Sequence, residues 1–224
     1  MRVLYEDNHI IIVSKEAGEI VQGDKTGDKP LSEMVKDYIK EKYAKPGEVF
    51  LGVVHRLDRP VSGVVVFART SKALARMNRL FAEGGVHKTY LAITANKPKP
   101  EEGLLESWLT RNERMNKSFS SPQEKPGAKL ARLSYKLLNS TERYNLLEVR
   151  LLTGRHHQIR CQLASIGCPI KGDLKYGAPR SNPDGSISLH AWRVQFEHPV
   201  SHFNIDVCAP CPDDNLWRAL TSAL

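Results

Sequence analysis

The chain has only four cysteines in 224 residues, too few for a disulfide scaffold. It also lacks any apolar run near the ~20 residues of a membrane-spanning helix. The longest buried-looking pieces are Ile10-Ile11-Ile12-Val13 and Val64-Val65-Val66-Phe67. Acids (Glu6, Asp7) arrive at once after Met1 and no signal-peptide apolar core follows, so a soluble cytoplasmic protein away from membranes is expected. Cys208-Ala209-Pro210-Cys211 is a CxxC, but Cys161 and Cys168 are too widely spaced to complete a zinc site. Reduced, structural thiols are expected. GxxxxGK[ST], GxGxxG after a strand, and HExxH are all missing, so nucleotide hydrolysis, dinucleotide chemistry and zinc proteolysis lack support. No histidine pair, His156-His157 included, has metal-site spacing and neighbours. Neither a cofactor nor a metal is expected.

What the chain has is positive charge, unevenly placed. Lys and Arg number 33 against 25 Asp and Glu, a formal net charge of +8. Residues 55–90 carry seven bases and two acids, residues 111–136 seven and two, and residues 150–180 six and one. The remainder is net acidic. A basic surface on an otherwise acidic body is the footprint of a polyanion binder. Arginine is abundant in these windows, and its planar fork suits phosphate and base stacking. With 41% apolar and 26% charged residues the chain reads as globular, and its length favours one domain, 1–224.

Hydrophobic periodicity predicts a strand pair, Arg2–Tyr5 and His9–Lys15, turned at Asp7-Asn8. Leu31, Met34, Val35, Tyr38 and Ile39 fall on one helical face after Pro30. Strands are predicted at 49–54 and 64–68, then a helix capped by Thr70 and closed by Gly84-Gly85. Further strands are predicted at 88–95, 104–110, 130–138, 144–152, 187–196 and 204–207. Helices are predicted at 156–166 and 213–223, and 112–129 reads as a mobile basic loop. Strands dominate without βα alternation, which is an α+β pattern around a mixed, largely antiparallel sheet with peripheral helices.

The densest chemistry lies in His55-Arg56-Leu57-Asp58-Arg59-Pro60-Val61-Ser62-Gly63. Read blandly, it is an ion-paired turn between two strands. Read functionally, it is a carboxylate between two cations, suited to act as nucleophile or base on a loop stiffened by Pro60 and Gly63.

His55-Arg56-Leu57-Asp58 with Ser62-Gly63 resembles the active-site motif of the RluA-type pseudouridine synthases. The likeness continues through Asp7-Asn8-His9 to Lys15-Glu16-Ala17-Gly18, Lys88-Thr89-Tyr90-Leu91-Ala92, and Thr153-Gly154-Arg155-His156-His157-Gln158-Ile159-Arg160. It ends with Pro169-Ile170-Lys171-Gly172-Asp173, Tyr176-Gly177, Leu189-His190-Ala191 and Phe196-Glu197-His198-Pro199. The resemblance implies a pseudouridine synthase fold with a central basic cleft, and isomerisation of uridine in ribosomal or transfer RNA. The C1′–N1 bond breaks, the uracil turns, and C5 joins C1′, with nothing oxidised and no cofactor consumed. Asp58 matches the catalytic aspartate, Tyr90 the tyrosine that packs on uracil and can take the C5 proton, and Arg160 the arginine that pairs with the aspartate. Arg56 matches the arginine that replaces the flipped base, and Arg59, beside the same carboxylate, is a candidate RNA contact. Arg155 and His157 are expected to steady their loop or meet phosphate. Arg111, Arg114 and Lys117 in the basic 112–129 region and its flank are candidate RNA contacts. Val61 and Glu16 stand where the family more often has Thr and Pro. The chain opens directly on the catalytic motifs, so an S4-like N-terminal module is not expected, nor an obligate protein partner; a monomer is.

Two other functions fit parts of the pattern. A carboxylate glycosidase also cuts a C1′ bond, but needs a second acid about 5–10 Å away, and within the basic windows the nearest acid to Asp58 in sequence is Glu83. A non-catalytic RNA-binding protein could keep the fold without the chemistry.

Overall fold

A computed structural model describes residues 1–222 and 224. The sequence shows no break in the chain, but the structure divides it into two compact units, 1–86 with 191–210 and 87–190 with 211–224.

In the first unit, β1 (Arg2–Glu6) pairs antiparallel with β2 (Ile10–Lys15), turned by Asp7, whose carboxylate accepts the backbone N–H groups of His9 and Ile10. Every residue of β2 is buried. β2 pairs antiparallel with β4 (Ser62–Ala68), and the short β3 (Gly52–Val53) also pairs with β4. β10 (Leu189–Glu197) lies next to β4, and β11 (Asn204–Cys208) pairs antiparallel with β10. α1 (Leu31–Lys42) buries Leu31, Val35 and Ile39 at the predicted spacing. α2 (Ser71–Ala82) is capped by Thr70, whose hydroxyl accepts the Ala73 N–H, worth about 1 kcal/mol. Met77 of α2 joins Ile10, Ile12, Val64, Val66, Val194 and Phe196 in one apolar cluster. The register that buries these alternating side chains sets Lys15 opposite Gly63, beside the Asp58 loop.

In the second unit, β5 (Val86–Thr94) pairs antiparallel with β9 (Asn145–Leu151), β9 with β8 (Lys129–Ser140), β8 with β6 (Glu102–Asn112), and β6 with β7 (Lys117–Ser121). On β8, Ala131, Leu133 and Tyr135 are buried while Arg132 and Lys136 are exposed, the alternation predicted. α3 (Gln158–Ser165) packs on β6 and β7 and meets a 3-10 turn at Leu174–Tyr176. α4 (Asn215–Thr221) packs on β8 and β9 and is capped by Asp214. The sequence expected this helix to reach Ala223, which lies outside the described residues.

Two expectations need correcting. The strand expected at 49–54 is only Gly52–Val53. The mobile loop expected at 112–129 contains the far strand of a hairpin, β7, while residues 122–128 lie outside any strand: Arg111 lies opposite Ser118 and Asn112 opposite Lys117. Asn116, at φ 45°, makes the left-handed step of its turn. Ser118 and Ser121 are buried, and a run of serines carries no hydrophobic period to betray a strand.

Candidate active site

Asp58 sits in a tight turn of the first unit, with its carbonyl accepting the Val61 N–H at 3.0 Å. A lysine holds that turn from beneath. Lys15 is 0% exposed, and its Nζ donates to the carbonyls of Glu16 (3.0 Å), Arg59 (3.1 Å) and Val61 (2.6 Å). Burial pushes its pKa down to about 8, opposed by the carboxylates of Glu19 and Asp58. The Gly18 N–H donates to the same Arg59 carbonyl at 2.8 Å. The turn's other end rests on His55, whose ring stacks on Phe81 and whose Nε2 accepts the Val66 N–H at 3.0 Å. Leu57, between Arg56 and Asp58, is buried. Gly63 cannot be replaced: at φ +117° a Cβ there would lie 2.2 Å from the Ala191 carbonyl oxygen.

The cations around Asp58 differ in their commitments. Arg56 is exposed. Arg59, expected to face RNA, donates to Asp28 (2.7 Å) and Thr26 (2.7 Å) and lies 3.5 Å from Asp24. It ties the 24–28 segment to the turn.

In the second unit, Tyr90 lies on β5 opposite Val149, 7% exposed. Lys88, two residues earlier and so on the same face, has its pKa pushed down by burial, and its Nζ lies 3.5 Å from where a Cβ on Gly154 would stand. The Thr153–Arg155 segment is closed by Gln158, whose Oε1 accepts the Thr153 hydroxyl and the Arg155 N–H and whose Nε2 donates to the Arg132 carbonyl. Arg155 is exposed, its Nε donating to the Leu130 carbonyl.

Arg160 is buried and forked onto Asp173, with Nε to Oδ2 at 2.7 Å and Nη2 to Oδ1 at 2.9 Å. Its Nη1 meets His157 Nε2 at 3.1 Å, and His157 Nδ1 meets the Tyr176 hydroxyl at 3.0 Å. His157 is therefore an internal link of its loop, not a surface contact for phosphate. Asp173 follows Gly172, where a Cβ would strike Asn182 and the Ser186 carbonyl. Lys117 crosses from β7 to the Tyr176 ring, 5.1 Å from its centroid. Arg111 and Arg114 are exposed on the hairpin, whose turn carbonyls Lys175 holds.

The sequence reading missed Lys15 and Asp173 as site residues. Both stood inside quoted motifs. The signal for Lys15 was a lone lysine ending an apolar strand. None of the motifs could show that Asp173 is the carboxylate on Arg160. Burial pushes the Cys161 thiol up to about 11 and also raises Cys168 and Cys208, which keeps these three protonated.

A family model described as RNA pseudouridylate synthase matches residues 9–165. The chain belongs to the RNA pseudouridylate synthase family. It is 35% identical to an RNA pseudouridine synthase of Bacillus subtilis strain 168, called uncharacterised, over 98% of this chain and 72% of that one. It is 32% identical to ribosomal large subunit pseudouridine synthase D of Nitrosomonas europaea, over 96% of this chain and 63% of that one. It therefore spans about two thirds of the length of such relatives. A solved structure, human RNA pseudouridylate synthase domain containing 4, superposes with a TM-score of 0.80 at 25% identity, covering 95% of this chain and 89% of that one. The RluA-type likeness read from the motifs and the pseudouridine synthase fold are both borne out. The chain is an RNA-modifying isomerase.

Proposed function

We propose that this synthase acts on uridines in ribosomal RNA, with Asp58, Tyr90 and Arg160 as its catalytic residues. Relatives named as ribosomal large subunit synthases support the choice of RNA. The observation that carries the residue assignment is that the Asp58 turn and Arg160 are each held in place by a buried charged partner: Lys15 under the turn, Asp173 on the guanidinium. Such preorganisation is what positioned chemistry requires.

Asp58 opens the reaction at the ribose, by attack at C1′ or by taking the C2′ proton. The C1′–N1 bond breaks, the freed uracil turns, and C5 bonds to C1′, displacing the Asp58 carboxylate on the first route or with Asp58 returning the proton to C2′ on the second. C5 then loses its proton, with Tyr90 the group that takes it, and N1 regains one. Arg160 pairs with the carboxylate. The target base must leave its stack first, at a few kcal/mol. Arg56, exposed beside Asp58, fills the gap it leaves. Arg111, Arg114, Lys117 and Arg155 supply phosphate contacts, and the protein works as a monomer.

The test is to map pseudouridine in ribosomal RNA from cells carrying wild type, Asp58→Ala or no copy. Loss of the same site in both altered strains is expected. A site still formed by Asp58→Ala would overturn the reading and favour a pure RNA binder. A rate slowed by deuterium at C2′ selects proton removal over attack at C1′.

A further inference from the structure

Arg160 makes three hydrogen bonds with the side chains of Asp173 and His157 in the second unit. Two go to Asp173, a carboxylate bound to accept. The third, Nη1 to His157 Nε2 at 3.1 Å, decides more than it seems to. A guanidinium only donates, so Nε2 must offer its lone pair. The imidazole is then neutral, with its proton on Nδ1, where it donates to the Tyr176 hydroxyl oxygen at 3.0 Å. The same oxygen accepts the Ser118 N–H of β7 at 2.8 Å. A continuous chain of hydrogen bonds thus runs from the hairpin's edge strand through Tyr176 and His157 to Arg160. Its members are packed tightly: His157 is 8% exposed, and the Arg160 guanidinium lies 5.1 Å from the Tyr176 ring centroid. His157 also holds a left-handed backbone (φ 52°) at the N-cap of α3, a conformation that strains a non-glycine residue. The fold keeps that strain where it aims one ring between the guanidinium and the phenol.

We propose that His157 is a positioning residue for uridine isomerisation: as the neutral Nδ1–H tautomer it fixes Nη1 of the Arg160 guanidinium, and protonating it breaks that contact. The inference rests on the reading of Arg160 as catalytic. Protonation would set an N–H against an N–H and a cation against a cation. The charged and titratable groups facing the ring are Arg160 of α3, Asp173 behind it, Tyr176 of the 3-10 turn, Lys117 of β7 over the Tyr176 ring, and His156. The His156 ring stacks on His157 at 3.8 Å, with its nitrogens engaged by Ser118 and Asn116. Cys161, which donates to the Ser118 carbonyl, stays a neutral thiol.

The experiment is single-turnover isomerisation of an RNA that the wild type modifies, at saturating enzyme, from about pH 5 to about pH 8. Wild type should lose rate on the acid side. His157→Leu should be slower by about tenfold or more at neutral pH, with RNA affinity within about twofold of wild type. His157→Gln places Oε1 where Nε2 stood, so it should recover most of the rate and show no acid-side loss. His156→Ala should keep the acid-side loss. A His157→Leu rate equal to wild type overturns the proposal, as does a His157→Gln that melts like wild type yet is as slow as His157→Leu. An acid-side loss that survives in His157→Gln and vanishes in His156→Ala overturns it too. If His157→Leu does not fold, Tyr176→Phe carries the test: it leaves the Nδ1–H unanswered and should slow the reaction about threefold or more with affinity unchanged, and an unchanged rate counts against the link. Arg160→Ala separates the two readings. If it is fully active, the catalytic role of Arg160 fails; if it is inactive beside a fully active His157→Leu, only the positioning role fails.

Discussion

Asp58 rides on a turn whose carbonyls are gripped by one buried cation, Lys15, whereas Arg160 is itself the buried cation, gripped by side chains from other segments. The first arrangement is made of backbone and set by register: once β2 pairs with β4, Lys15 has nowhere to go but beneath residues 59–61. The second is made of side chains and depends on where chain 13 residues further on returns to α3. A backbone anchor tolerates changes in the side chains it passes, because Lys15 takes only the carbonyls of Glu16 and Val61. A side-chain anchor tolerates almost none.

That contrast can be broken from either side. Asp173→Ala leaves a buried guanidinium without its acid and should cost the second unit about 3–5 kcal/mol, read by denaturant unfolding. Pseudouridine formation should fall with it. Lys15→Met removes the buried charge, which offsets part of the damage, but strands carbonyls it had satisfied. A loss of about 2–4 kcal/mol is expected, with a slower single-turnover rate and unchanged RNA affinity. If Lys15→Met instead weakened RNA binding and left the rate alone, the turn would not be its target.

A third carboxylate sharpens the comparison away from both anchors. Glu6 accepts Tyr38, Tyr43 and Lys42 beside β1, and despite burial these hold its pKa down to about 2. Its folded pKa lies below the unfolded value. Its stabilisation is therefore complete above about pH 4.5 and disappears as the pH falls towards about 2. Glu6→Gln should cost about 1.5–3 kcal/mol at neutral pH and blunt that part of acid unfolding, with isomerisation at neutral pH unaffected in the folded fraction. The smallest effect belongs to the exposed hairpin. Arg114→Ala should weaken RNA binding severalfold and lower the slope of log affinity against log salt by about 0.7–0.9. An unchanged slope would remove the hairpin from the RNA contact.

Much of this architecture could be read before any coordinates. Ile10–Val13 and Val64–Phe67 announced buried strands, the Ala131-to-Leu137 alternation a half-buried one, and Thr70 a helix start. In each case the evidence is local, because periodicity and capping act over a few residues. The β7 strand escaped because its serines pair through backbone in a segment with no apolar alternation. Its partner β6 was visible only in part. Likewise the order of residues left open whether His157 steadies its loop or meets phosphate, and its burial between Arg160 and Tyr176 was not legible there.

From residue order alone came the family, the α+β class, and Asp58, Tyr90 and Arg160 as the proposed catalytic residues, because motifs store residue types at fixed spacing. What partners those residues was decided by tertiary structure: Lys15 under the Asp58 turn, Asp173 on Arg160, His157 between Arg160 and Tyr176. The reason is physical. Which donor meets which acceptor depends on the register and return path of segments 13 to 46 residues apart, and no short-range propensity encodes that distance.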